Sequence, residues 1–339
     1  MHIAKKTTTA ILFCSFCLIW FGRASASIYA RRCTAIPSFT KSDTVKTDTA
    51  KINRYRINKR FDEVYVQNLR PATFGQEFFD PNKTLLVSDL AANFILLSSP
   101  KLPIFFVANF RINLRLFAAF GSPVKSPSYM PGGTFYFRTN DDSYNPHFFS
   151  LSYTHHSNGV EGPTLNPNGT FNTDSGKFTT NFYTLTYHTG KQTSTENFII
   201  NRYDALGIEL HSALIGLGYS HALKGKYGFV RVNGSWMYNI AKAVKDPIDQ
   251  KKEFLNWQRL QLDFTYIADK YDDYNSFDLK KRLNISLKYY YQFPFMQNVS
   301  FLVGGGYRGQ DDLNIFFQDS YPYLMAGVAA GLTFGAHRD

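Results

Sequence analysis

The chain has 339 residues, with 37 Lys and Arg against 26 Asp and Glu, 44% apolar residues and 3 Cys. The 32 Phe and 22 Tyr exclude a disordered chain, and the composition also excludes collagen, coiled-coil and disulfide-scaffold classes. What remains is a large β protein, either soluble or with its outer face against lipid.

Residues 1–26 read as a secretory signal peptide. Lys5 and Lys6 form a positive start, Ala10 to Phe21 an apolar centre, and Ala24-Ser25-Ala26 a small-x-small cleavage site. The apolar stretch is well short of the ~20 residues of a spanning helix. Cys14 and Cys17 lie inside this segment, so the mature chain keeps only Cys33, too few for a disulfide or a thiolate zinc site. No Leu-x-x-Cys precedes Cys33, which disfavours a lipoprotein. Cleavage removes Lys5, Lys6 and Arg23 and no acid, taking the formal charge from +11 to +8. Residues 27–62 read as a polar basic extension, densest at 51–60, facing solvent or lipid headgroups. It has no aromatic-interleaved nucleic-acid pattern, so no nucleic-acid partner is expected.

From 63 to 334 no apolar run reaches 18 residues; what recurs is period-two alternation in segments of about ten. Ala108, Phe110, Ile112, Leu114 and Leu116 alternate with Asn109, Arg111, Asn113 and Arg115. Val230, Val232, Gly234, Trp236 and Tyr238 oppose Arg231, Asn233 and Ser235; Leu260, Leu262, Phe264 and Tyr266 oppose Gln261, Asp263 and Thr265. Leu283 to Phe293 repeats the pattern, and 324–334 is the final strand, with 335–339 a short tail. Charges at mid-strand on the polar face suit a wet interior, and Tyr and Phe at strand ends suit an aromatic girdle. The expected fold is all-β: a transmembrane antiparallel β-barrel of about 12 strands, with 14 also compatible. Short turns are expected at 223–226 and 294–297, long loops at 159–180 and 240–254, and Gly304-Gly305-Gly306 inside a strand.

Chemistry concentrates on the strand before the first long loop. Phe149, Leu151, Tyr153, His155 and Ser157 share one face; Phe148, Ser150, Ser152, Thr154 and His156 share the other. The first set is the apolar, outward one, so His155 and Ser157 extend a lipid-facing stripe to its rim. Same-face neighbours are close enough for an imidazole to reach a hydroxyl, the arrangement of a base and its nucleophile. Gly159 follows, where a backbone amide can approach a ligand. His156 is expected inside the barrel as a solvated residue, while His188, His211 and His221 have no recognisable Ser partner.

The run Tyr153-Thr154-His155-His156-Ser157-Asn158-Gly159 resembles the outer-membrane phospholipase A family, known for Tyr-x-His-x-Ser-Asn-Gly on an outward strand. Ser122-Pro123 with Tyr129-Met130-Pro131, the stretch 228–238 with Trp236, and 306–313 resemble further parts of that family. The resemblance implies that His155 is the general base, Ser157 the nucleophile and the Gly159 amide part of an oxyanion hole. It also implies an Asn that orients the His: Asn181, or alternatively Asn201 in Ile200-Asn201-Arg202. It implies a calcium ion held by a carboxylate near Gly162 and a Ser near Gly121. Both of those positions are Gly, so Glu161, Asp174, Ser122 or loop carbonyls would substitute. A homodimer, membrane phospholipid as substrate and a bacterial outer-membrane location are implied as well. The competing expectations are a lipid A deacylase, which pairs His-x-Ser with a Glu on a barrel of roughly 8 strands, and a non-enzymatic porin.

Overall fold

The structure, a computed structural model, describes residues 70–331 apart from 82, 99–101, 120, 122, 125–126, 173, 213–217, 246–251, 294, 297 and 311–319, together with 53, 56–58, 60, 61, 64 and 65. The expected signal peptide, Cys33, Ser122, most of the expected basic extension and the tail at 335–339 lie outside the described residues. Twelve strands follow one another: β1 Ala72–Phe78, β2 Thr84–Ser98, β3 Ile104–Phe117, β4 Ser128–Arg138, β5 His147–Ser157 and β6 Thr179–Ser194. Then come β7 Phe198–His211, β8 Val230–Lys245, β9 Lys252–Ile267, β10 Leu283–Tyr291, β11 Val299–Arg308 and β12 Tyr321–Ala330. Each pairs antiparallel with its chain neighbours, and β1 closes on β12 from Ala72↔Ala330 to Phe78↔Leu324. Closure leaves no unpaired edge, the condition for strands to cross a hydrocarbon layer. Among the described residues no helix is long and apolar enough to cross a membrane.

Side-chain alternation sorts the two faces as the sequence pattern requires. On β5, Phe149 and Leu151 are 40% and 44% exposed while Phe148 and Ser150 are 1% and 5%. Phe135, Leu185, Leu206, Ile208, Leu287, Val303 and Leu324 share that outward exposure, which forms an apolar belt around the barrel. The inward face is polar and paired. Arg111 grips Asp89 with both Nε and Nη2, at 2.6 and 2.7 Å. Arg308 donates to Glu77 at 2.5 Å, and Arg259 to Asn239 at 2.6 Å. A buried cation without its partner costs roughly 3–5 kcal/mol, and the buried Arg115 and Arg231 lie 3.5 Å from Glu77 and 3.8 Å from Glu209. These pairs join strands next to or near one another along the inner wall.

The connections after β3, β5, β7, β9 and β11 are the longer ones, and those after β2, β4, β6, β8 and β10 are the shorter. Two expectations about connections are corrected here. The long loop expected at 240–254 is mostly strand, because β8 runs to Lys245 and pairs with β9 down to Lys245↔Lys252. The pairing passes a bulge on β9, where Trp257 is left over between Ile240↔Gln258 and Ala241↔Asn256. Residues 223–226 are not a hairpin turn. They close a 3₁₀ turn, His221–Leu223, within the long connection 212–229. The stretch 294–297 lies in a short connection as expected, and Gly304, Gly305 and Gly306 lie within β11.

At the shorter-turn end, the close of the basic extension at Phe61 and the residues just after it are packed rather than solvated. Phe61, Val64 and Tyr65 are buried against Phe105, Phe148, Tyr203 and Met237, all on inward positions near the barrel mouth. Tyr65 stacks within 4.3 Å of the Phe105 ring and 5.1 Å of Phe148, and Arg138 lies over the Phe61 ring at 4.8 Å. Phe61, Val64 and Tyr65 fall at i, i+3 and i+4, as on a helix with one apolar stripe, and those positions are helical.

Candidate active site

The site is built where β5 ends and β6 begins. The two strands pair from His147↔Thr189 to Ser157↔Thr179, which sets His155 directly opposite Asn181. Both face outward, and the pleat brings the two side chains together: His155 Nδ1 lies 2.8 Å from Asn181 Oδ1. An amide oxygen only accepts, so the Nδ1 proton points at Asn181 and Nε2 keeps its lone pair. The Tyr153 hydroxyl donates to the same oxygen at 3.0 Å, and Asn181 Nδ2 donates to the Gly218 carbonyl at 2.6 Å. Backbone bonds hold the surroundings, Ser212 N to Asn181 O at 2.9 Å and Ser220 N to Thr179 O at 2.8 Å.

Ser157 lies two residues on from His155 on the same face, roughly 6.6 Å along the strand. Among the described residues no hydrogen bond joins Ser157 Oγ to His155 Nε2. The two are same-face neighbours, with the imidazole proton directed at Asn181 and the Ser157 hydroxyl not bonded to the ring. Across the strand on the other side, Ser157 pairs with Tyr129. Asn158 turns inward and is buried; its side chain donates to Gly176 O at 2.7 Å and accepts from Phe178 N at 3.0 Å. That double clasp pins both ends of the loop 158–178. Gly159 then has φ +64°, and a Cβ there would meet the Tyr129 ring at 3.1 Å, so only glycine fits without strain. Among the described residues the Gly159 N–H donates to no carbonyl, which leaves it available beside Ser157.

The alternative orienting residue is elsewhere. Asn201 is buried inside the barrel and pairs with Gln192, eleven residues along β6 from Asn181. At about 3.3 Å per residue that is on the order of 36 Å from His155.

The implied calcium ligands do not assemble. Glu161 and Asp174 are both exposed on the loop, and Ser122 is outside the described residues. Gly162 is bridged to Gly176, and the space a side chain would need is filled by the Ser175 carbonyl oxygen at 2.2 Å from the Cβ position. Backbone rather than a carboxylate therefore occupies that place. Among the described residues no three His, Cys, Asp or Glu groups cluster as metal ligands do. The described side chains named above do not come together as a calcium site.

Sequence reading missed three inward hydroxyl–imidazole pairs, because each is made across strands. His156 Nε2 lies 3.0 Å from Ser128 Oγ, His188 Nε2 2.8 Å from Ser150 Oγ, and His211 Nδ1 2.8 Å from Thr180 Oγ1. His156 is inside as parity requires, but it is packed rather than solvated. His211 also meets Glu209 at 2.7 Å, so Thr180, His211 and Glu209 form a hydroxyl–base–acid chain. Thr180 is fully buried, however, and Glu209 also accepts from Asn233 at 2.8 Å. No substrate reaches that hydroxyl without opening the barrel, and the chain ties β6, β7 and β8 together behind the outward site.

No protein-family model matches this chain, nor does any curated protein. Among solved structures it is similar to the outer membrane phospholipase A from Escherichia coli, at 13% identity and a TM-score of 0.46 over 77% of this chain and 89% of that one. An active-site mutant of that protein at pH 6.1 shows 12% identity and 0.46 over 82% and 98%. A calcium-bound dimer of the Salmonella typhi outer membrane phospholipase shows 12% and 0.45 over 77% and 89%. Overlap at this level leaves the fold and chemistry of this chain to be argued from its own residues.

Proposed function

We propose that the chain is an outer-membrane β-barrel phospholipase that hydrolyses acyl ester bonds of glycerophospholipids, with Ser157 as nucleophile, His155 as general base and Asn181 as its orienting partner. Ser157 Oγ gives its proton to His155 Nε2 as it attacks the ester carbonyl, and the Gly159 N–H stabilises the resulting oxyanion. His155 returns the proton to the departing glycerol oxygen, and water releases the fatty acid by the same steps. Because Asn181 is neutral, it fixes the imidazole without adding the charge that a carboxylate supplies to the imidazolium.

The observation that carries the reading is the His155–Asn181 bond of 2.8 Å on the barrel's outward face, one strand position from Ser157. An ester reached from that face is carried by a molecule lying in the membrane, against the apolar stripe of Tyr153, Leu151 and Phe149. The orienting group is an amide, not the Glu of a lipid A deacylase, and its bond to His155 has no part in a porin.

Fatty-acid release from phospholipid micelles by the refolded protein tests the proposal, with lipid A as a second substrate and with calcium or chelator as parallel arms. Phospholipid turnover that vanishes in Ser157→Ala supports it. Turnover that survives Ser157→Ala, or hydrolysis of lipid A alone, sinks it. A calcium requirement untouched by Glu161→Gln and Asp174→Asn would assign the ligands to loop carbonyls or to residues around 122. A second copy of the chain is the expected partner, tested by crosslinking in detergent with and without substrate analogue.

A further inference from the structure

An asparagine amide can serve as an orienting group in only one of its two flips. With Oδ1 toward His155, the imidazole proton stays on Nδ1 and Nε2 can take the Ser157 proton. With Nδ2 toward His155, Nδ1 becomes the acceptor, Nε2 carries the proton, and the base is disabled. What holds Asn181 in the working flip is therefore part of the catalytic apparatus.

Two groups do so. The Gly218 carbonyl, 2.6 Å from Nδ2, can only accept, so it selects the donor end. The Tyr153 hydroxyl, 3.0 Å from Oδ1, reaches diagonally from the position two residues before His155, since its direct cross-strand partner is Tyr183. The Tyr153 and Tyr183 ring centroids are 5.2 Å apart, so the Tyr153 ring is fixed by packing and only its hydroxyl has a polar task. In the flipped amide, Gly218 O would face an oxygen, and Oδ1 would lose both of its donors.

We infer that Tyr153 is a positioning residue of the hydrolytic site: with the Gly218 carbonyl it locks the Asn181 amide, and through it the His155 tautomer. The inference rests on the reading of His155 and Ser157 as base and nucleophile. Its kinetic signature is confined to turnover, because Tyr153 touches Asn181 rather than the reacting atoms.

The test compares Tyr153→Phe, Asn181→Ala and the double variant with wild type, using Tyr183→Phe as control. Tyr183 carries a buried hydroxyl without a hydrogen bond among the described residues, so its loss should leave kcat unchanged. Tyr153→Phe keeps the ring packing and should lower kcat by about fivefold to tenfold, the worth of one hydrogen bond, with KM unchanged. The double variant should be no slower than Asn181→Ala. An unchanged kcat in Tyr153→Phe, or losses that multiply in the double variant, overturns the inference.

A second readout stands apart from activity. Exchange of the Asn181 side-chain amide protons, followed by NMR in detergent micelles, should be at least about tenfold faster in Tyr153→Phe, since a freed amide opens more often. Equal exchange rates overturn the inference whatever the kinetics. If wild type shows no Ser157-dependent hydrolysis, the catalytic reading fails, and the exchange rates alone decide whether Tyr153 locks the amide.

Discussion

Replacing Asn181 by alanine removes the acceptor for two donors at once, His155 Nδ1–H at 2.8 Å and the Tyr153 hydroxyl at 3.0 Å. It also leaves the Gly218 carbonyl without the 2.6 Å donor it now has. Each lost bond is worth about 1–1.5 kcal/mol, so the two at Oδ1 together amount to roughly 2–3 kcal/mol of orientation. Expressed in the transition state, where the imidazole must present Nε2 to Ser157, that is a loss of about 30-fold to 150-fold in kcat. The Gly218 carbonyl is at an exposed residue and can turn to water, so its share of the cost should fall on local stability. The assay is continuous titration of released fatty acid from phospholipid micelles, with substrate varied to separate kcat from KM. Wild-type kcat in Asn181→Ala would refute the assignment, and so would a larger loss in Asn201→Ala.

Ser157→Ala should reduce turnover by at least about a thousandfold while leaving circular dichroism and heat-modifiable gel mobility unchanged. Gly159→Ala places a Cβ at 3.1 Å from the Tyr129 ring on a backbone of φ +64°, so it should cost about 1–2 kcal/mol locally and slow hydrolysis roughly tenfold, read from kcat and from proteolysis of the loop. Asn158→Ala breaks the bonds to Gly176 O and Phe178 N and should open the loop 158–178 by roughly 2–3 kcal/mol, seen as faster amide exchange confined to that loop. Asp89→Ala strands the inward Arg111 and should lower the unfolding free energy of the refolded barrel by about 3 kcal/mol in a urea titration, without changing kcat.

How much of this is legible in the sequence depends on whether a feature is periodic. The barrel and the outward direction of His155 and Ser157 follow from parity alone, because a pleat assigns alternate residues to opposite faces. Where strands end is less legible. β8 runs on to Lys245 opposite β9, past a bulge at Trp257 of β9 that only the pairing of the two strands reveals. Cross-strand chemistry has no such signal. His211 and Thr180 are 31 residues apart in the chain and His188 and Ser150 are 38 apart, so nothing local announces that they meet. Asn181 could be named only through a resemblance. Its choice over Asn201 needed the β5–β6 register, which depends on how loop 158–178 folds. That loop in turn is held by Asn158, whose place in the motif does not reveal that its side chain points inward. Gly162 illustrates the converse: its missing carboxylate is visible in the sequence, but the reason, a carbonyl oxygen in the side chain's place, is not.

The central claim is that an outward-facing hydroxyl at the rim of the lipid belt is the nucleophile. The most direct measurement is covalent capture. The protein, inserted in phospholipid vesicles, is treated with a sulfonyl fluoride carrying a long acyl chain, and the modified residue is located by mass spectrometry. The account predicts a single stoichiometric adduct on Ser157 that is lost in His155→Ala and strongly slowed in Asn181→Ala. An adduct on an inward hydroxyl such as Ser128 or Thr180, or no adduct while phospholipid is still being hydrolysed, would contradict it.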